Sequence, residues 1–121
     1  MTTLSRVLVV EDQIIMLLAL VDDLADQGIE AVPVTSAKGA VTLLDSVDAL
    51  ITDIELPGGY NGLQLARFAA NLRPGLPIAV VSAGIRPRAD QLPAGAAFLP
   101  KPCRARDIVA ALDRQRPAHA A

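Results

Sequence analysis

Three acidic residues, a serine and a lysine stand at the ends of apolar runs in this sequence. Glu11-Asp12 follow "RVLVV", Asp53 follows "DALIT", Ser82 follows "PIAVV", and Lys101 follows "AAFLP". If the runs are neighbouring parallel strands, the residues after them meet at one end of a sheet, where open α/β sheets place their sites. Three carboxylates gathered there repel one another unless a cation is present. Hard oxygen ligands suit Mg²⁺, which keeps several waters and often takes a partner phosphate. A divalent ion would keep Asp53 ionised, and an ionised carboxylate is a nucleophile for phosphoryl transfer. Lys101 would neutralise the transferred group, since this chemistry is mainly positioning and charge stabilisation. Ser82 could donate to a phosphoryl oxygen.

The elements that must position these residues alternate along the chain. "RVLVV" (6–10) lacks polar alternation and reads as a strand buried on both faces. "QIIMLLALVDDLADQ" (13–27) is a helix closed by Gly28. "EAVPV" (30–34) is a strand whose Pro33 cannot donate to a ladder, so it belongs at an edge. Ser36 is an N-cap for a helix through about residue 46. "DALIT" (48–52) is a third strand, "NGLQLARFAANL" (61–72) an amphipathic helix stopped by Pro74-Gly75, and "PIAVV" (77–81) a fourth strand. "IRPRADQL" (85–92), with prolines at 87 and 93, reads as a short or unwound helix. "AAFL" (96–99) is the fifth strand and "CRARDIVAALDRQ" (103–115) the last helix. Such alternation implies a doubly wound parallel sheet in three α/β/α layers, right-handed crossovers leave few topologies, and Pro33 at an edge fits the flavodoxin-like five-stranded order 2-1-3-4-5. One domain is expected over 1–121, with its core at about 4–115 and a frayed tail at 116–121. The short Ala-rich tail is read as the natural end of the chain.

Composition narrows the function. Aromatic residues make up 2% of the 121, and the net charge is −2, which argues against a base-stacking platform or a nucleic-acid partner. Basic residues gather only loosely, at Arg104, Arg106, Arg114 and Arg116. Cys103 has no partner for an internal disulfide and suits a reducing cytoplasm. It is read as a small packing residue, although a helix N-terminus nearby would lower its pKa. The N-terminus is no signal peptide, and the apolar run "IIMLLALV" spans only 8 residues, so no membrane span is expected. "PGGYNG" lacks the spacing and lysine of a phosphate-binding loop. His119 lies in the tail and is read as inert.

Taken together, "VLVVEDQ", "LITDIELPGGYNGLQLA", "VVSA" and "FLPKP" resemble the receiver domains of two-component response regulators, from about Leu4 to Gln115. The resemblance implies a bacterial, cytoplasmic, stand-alone signalling module. Asp53 would be the phosphoacceptor, and Glu11 and Asp12 the acidic pair holding Mg²⁺ with Asp53 and the backbone carbonyl of Glu55. Ser82 and Phe98 would be the switch pair, Lys101 would pair with the phosphoryl group, and the Lys101–Pro102 bond would be cis. The implied donor is a sensor histidine kinase or histidine phosphotransfer protein, with a downstream protein target. The chain would then be no enzyme beyond its own phosphoryl transfer and dephosphorylation. It departs from the family in using Glu11 for the commoner Asp, in an extra glycine at Gly58-Gly59, and in the prolines of its fourth helix.

The first helix carries two apolar stripes. Met16, Leu20 and Leu24 are expected to face the sheet. Ile14, Leu18 and Val21, with Leu17 beside them, are expected to form a partner face, since a surface helix is ordinarily polar there. That face would dock a histidine-bearing bundle or a second copy of the chain. A homodimer through the face of helix 4, strand 5 and helix 5 is the other expectation. Two alternative functions stand beside the leading one. A haloacid-dehalogenase-like, Mg²⁺-dependent phosphatase uses similar groups, but there the nucleophile follows the first strand and the acidic pair comes last. The other is a receiver-like adaptor indifferent to phosphorylation.

Overall fold

A computed structural model describes residues 2–116; His119, with the rest of 117–121, lies outside them. The elements are β1 (Arg6–Val10), α1 (Ile14–Asp26), β2 (Glu30–Val34), α2 (Ala37–Val41), β3 (Ala49–Asp53), α3 (Gly62–Leu72), β4 (Ile78–Ser82), β5 (Ala97–Pro100) and α4 (Ala105–Asp113). All strand pairs are parallel, in the order β2-β1-β3-β4-β5. The uninterrupted apolar runs occupy the interior: every residue of β3 and β4 is buried. Pro33 lies on the edge strand β2, opposite Val9, where its missing N–H breaks no ladder.

Strand alternation divides the core in two. Val7, Val9, Ile51 and Val81 meet Leu17 and Leu24 of α1 and Ile108 and Leu112 of α4. Leu8, Val10, Leu50 and Val80 meet Ala37 and Ala40 of α2 and Leu65, Ala66 and Ala69 of α3. Each fully buried Leu, Ile or Val contributes about 1.5–3 kcal/mol of transfer free energy. Asn61 starts α3 with a capping box, its side chain accepting from Gln64 N (2.9 Å) while Gln64 Oε1 accepts from Asn61 N (2.8 Å). Among the described residues no helix is long and apolar enough to cross a membrane.

Three sequence expectations need correction. The second helix does not run to 46. Ser36 caps it, accepting from Gly39 N at 3.1 Å, but it ends at Val41 and a 3₁₀ turn follows at Leu44–Ser46. Gly39 and the β-branched Val41-Thr42 are weak helix formers. Leu43 N and Ser46 N donate instead to carbonyls three residues back, Ala40 O (3.0 Å) and Leu43 O (3.1 Å).

The stripes of α1 are rotated. Leu17 and Leu24 are buried and Leu20 and Val21 pack against the core, whereas Met16 is 40% exposed. Positions 17, 21 and 24 follow the i, i+4, i+7 spacing of one face, so Leu17 and Val21 leave the expected partner face. The apolar surface that remains is Ile14, Ile15, Met16 and Leu18, with Ile15 at 84% exposure.

Residues 85–92 are short and irregular, as expected from their prolines, and form no α-helix. A single 3₁₀ turn at Ala89–Gln91 follows Pro87, tied to α3 by Arg67 Nε donating to Gln91 O at 3.2 Å. The face expected from helix 4, strand 5 and helix 5 therefore lacks its first helix, and Ala97, Phe98 and Leu99 of β5 are only half-buried. The last helix begins at Ala105, not at residue 103.

Candidate functional site

Each strand delivers its residue to the same end of the sheet. Asp53 closes β3 and is 6% exposed; Glu11, directly after β1, is 5% exposed. Asp12 stands outside them, exposed to solvent. One carboxylate oxygen from each of Glu11, Asp12 and Asp53 falls within 4.8 Å of the others. Lys101 follows β5 and reaches across β4's end: its N–H donates to Ser82 O at 2.9 Å. Its Nζ donates to Glu11 Oε1 at 2.5 Å and to Asp53 Oδ2 at 3.1 Å. The Lys101–Pro102 peptide is cis.

These contacts set the electrostatics. Burial alone would lower the Lys101 pKa, but the Glu11 and Asp53 carboxylates outweigh it and hold the ammonium above its ordinary value. The remaining oxygen of Glu11, Oε2, accepts from Gln13 N at 3.1 Å and so closes the start of α1. Glu55 N lies 3.4 Å from Asp53 Oδ1, a weak contact. Three carboxylates against one ammonium leave two negative charges in excess, with Asp12 open to the mouth. This oxygen-only donor set and its charge fit Mg²⁺.

A cleft of about 270 Å³ opens onto this cluster, lined by Asp12, Gln13, Met16, Asp53, Glu55, Ala83 and Lys101. Met16 and Gln13 were not among the residues expected there. Met16 was missed because helical spacing alone does not say which stripe meets the sheet. Ser82 is buried and absent from the cleft lining; its Oγ accepts from Ile85 N at 3.0 Å. Phe98 packs against the α2–α3 core, with the Arg86 guanidinium 5.6 Å from its ring centroid. Cys103 is half-buried, and burial pushes its thiol pKa up despite the opposing charge of Lys101. A lowered, reactive thiol is therefore not what the fold provides. In the loop after Asp53, Gly58 (φ +88°) and Gly59 (φ +76°) both adopt the left-handed conformation, which other residues enter only with strain.

A family profile for the response regulator receiver domain matches residues 7–113. Among solved structures, the chain is similar to a response regulator receiver protein from Sinorhizobium medicae, at 26% identity. That match covers 93% of this chain and 94% of the other, with a TM-score of 0.85. A CheY-like response regulator receiver domain protein from Methanospirillum hungatei is 27% identical, with 93% and 97% covered and a TM-score of 0.78. The signal receiver domain of a signal transduction histidine kinase from Syntrophus aciditrophicus is 23% identical, with 92% and 89% covered and a TM-score of 0.76. No match was found among the curated proteins.

Proposed function

This chain belongs to the response regulator receiver domain family, and from that membership we propose that Asp53 accepts a phosphoryl group from a phosphohistidine protein. The observation that carries the reading is the meeting of Asp53, Lys101, Glu11 and Asp12 at one end of the sheet. A carboxylate oxygen of Asp53 bonds to phosphorus while the phosphorus–nitrogen bond of the donor breaks. The leaving imidazole nitrogen keeps the electron pair and takes a proton, and the product is an acyl phosphate. Glu11, Asp12, Asp53 and the Glu55 carbonyl would hold Mg²⁺, which when bound offsets the charge on the phosphoryl oxygens.

The chain's own residues do the rest. Burial keeps bulk water from crowding Asp53. Lys101 already bears on the Asp53 carboxylate and turns to a phosphoryl oxygen once the acyl phosphate forms. Ser82 exchanges its contact with the Ile85 amide for a phosphoryl oxygen, and Phe98 repacks in response. Residues 4–115 act as one receiver unit in the cytoplasm. Its donor is a histidine kinase or phosphotransfer protein docking at Ile14, Ile15, Met16 and Leu18, and the phosphorylated form acts through a downstream protein. The chain does not turn over a separate substrate; it modifies and unmodifies itself. The phosphatase reading loses its support, because the acidic pair precedes the nucleophile and the match is to receivers.

The test is intact mass after incubation with a phosphohistidine donor and Mg²⁺. One added phosphoryl on the wild type, and none on Asp53→Asn, is the expected result. An unlabelled wild type beside a labelled control receiver overturns the reading.

A further inference from the structure

Among the described residues four polar side chains are buried: Glu11, Thr52, Asp53 and Ser82. Three lie in or beside the site. Thr52, one residue before Asp53 and fully buried in the central strand, is the one without a part so far. Its Oγ1 donates to the main-chain carbonyl of Asp53 at 2.9 Å. A hydroxyl buried in an apolar core is costly unless it is bonded, so this contact holds in the folded protein.

The same carbonyl is also approached closely by α3. Gly62, the first residue of α3, packs so closely that a Cβ built on it would stand 1.7 Å from Asp53 O and 2.7 Å from Asp53 C. No real Cβ fits there unless the backbone of Asp53 or the start of α3 moves. Gly62 N also donates to Ile54 O at 2.8 Å, so the helix start is bonded to the next residue along. The Asn61–Gln64 capping box fixes where α3 begins, which keeps the glycine at this point. The need here is for space and not for an unusual φ.

We propose that Thr52 and Gly62 are positioning residues that together fix the Asp53 backbone, and through it the direction of the nucleophilic carboxylate. This rests on Asp53 being the phosphoacceptor. Neither side chain touches the phosphoryl group. They act on the angle and distance of attack, where a displacement of about 1 Å can cost on the order of 100-fold in rate.

The experiment compares wild type, Thr52→Val, Thr52→Ser and Gly62→Ala, labelled over a range of acetyl phosphate concentrations with saturating Mg²⁺. The maximum labelling rate, the half-saturating donor concentration and the thermal midpoint are read for each. Thr52→Val keeps the shape but loses the hydroxyl; its maximum rate should fall roughly three- to tenfold, and Thr52→Ser should restore it. Gly62→Ala should fall by about 10- to 100-fold. Half-saturation should stay at the wild-type value in all, since misaim lowers the rate and not donor affinity. A purely structural role would move the thermal midpoint and leave the maximum rate of the folded protein alone. Thr52→Val at the wild-type maximum rate, or Thr52→Ser as slow as Thr52→Val, overturns the proposal. The threonine pair decides it even if Gly62→Ala does not fold. A wild type that takes no label overturns the phosphoacceptor reading and this one with it, whereas a labelled wild type with an indifferent Thr52→Val overturns this one alone.

Discussion

Lys101 places its Nζ 3.1 Å from Asp53 Oδ2 while also bonding Glu11 Oε1. The lysine therefore already neutralises part of the Asp53 charge. On the proposed function it would compete with Mg²⁺ for the same carboxylates and be needed once the phosphoryl charge develops. Lys101→Met should bind Mg²⁺ more tightly than wild type and be labelled at least about tenfold more slowly. Mg²⁺ titration followed by NMR and labelling kinetics measure the two effects separately. A variant that loses metal affinity and labelling together contradicts this division of roles.

If the cluster holds Mg²⁺ as proposed, the ion should relieve its excess negative charge and stabilise the fold. Mg²⁺ should raise the thermal midpoint, by an amount equivalent to about 2.7 kcal/mol at a hundred times its Kd. Asp12→Asn should raise the midpoint without Mg²⁺, because a repelling carboxylate is gone, and should blunt the response to added ion. Thermal scans with EDTA or Mg²⁺ check both signs.

The exposed apolar surface of α1 separates docking from stability. Leu18→Glu and Ile15→Glu should leave the unfolding midpoint nearly unchanged, within about 0.5 kcal/mol. They should slow transfer from a phosphohistidine protein but not from acetyl phosphate. Leu17→Ala, in the core, should cost about 2–5 kcal/mol. Urea titrations beside the two labelling assays distinguish these outcomes.

Acid should act through Asp48. Its Oδ2 accepts from Ser5 N (2.8 Å) and Arg6 N (3.0 Å), joining the starts of β1 and β3. Burial pushes its pKa up, but these amides with Arg116 and Arg73 outweigh that and hold it below the ordinary value of 3.8. A carboxyl depressed in the folded state stabilises above its unfolded pKa, and the gain is lost as pH falls through the folded one. Asp48→Asn should thus be less stable than wild type at neutral pH. The gap should narrow below the ordinary value, as urea midpoints along a pH series would show.

The strand order, the edge position of Pro33 and the meeting of Asp53, Lys101 and the Glu11-Asp12 pair were legible in the sequence. The strands follow from uninterrupted apolar runs, the order from right-handed crossovers, a proline fit for an edge and the family resemblance, and the meeting from a parallel sheet that gathers its strand ends. The stripes of α1 were not legible, because Ile14 to Val21 is apolar almost all round and period alone does not choose the buried side. The length of α2 was lost for a related reason: Gly39, Val41 and Thr42 weaken the helix without supplying a stop signal. The Gly62 contact was invisible because a close backbone approach leaves no trace in composition or spacing. Ser82 was placed at the right strand end, but its bond to Ile85 N depends on a loop whose shape the sequence did not specify.

The most direct measurement is the identity of the labelled residue. Phosphorylated protein is reduced with borohydride, which converts an aspartyl phosphate to homoserine, and the peptides are mapped by mass. Homoserine at position 53, formed only when donor and Mg²⁺ are both present, is the predicted result. Unreduced Asp53 in labelled protein, or the modification at another residue, would contradict Asp53 as the phosphoacceptor.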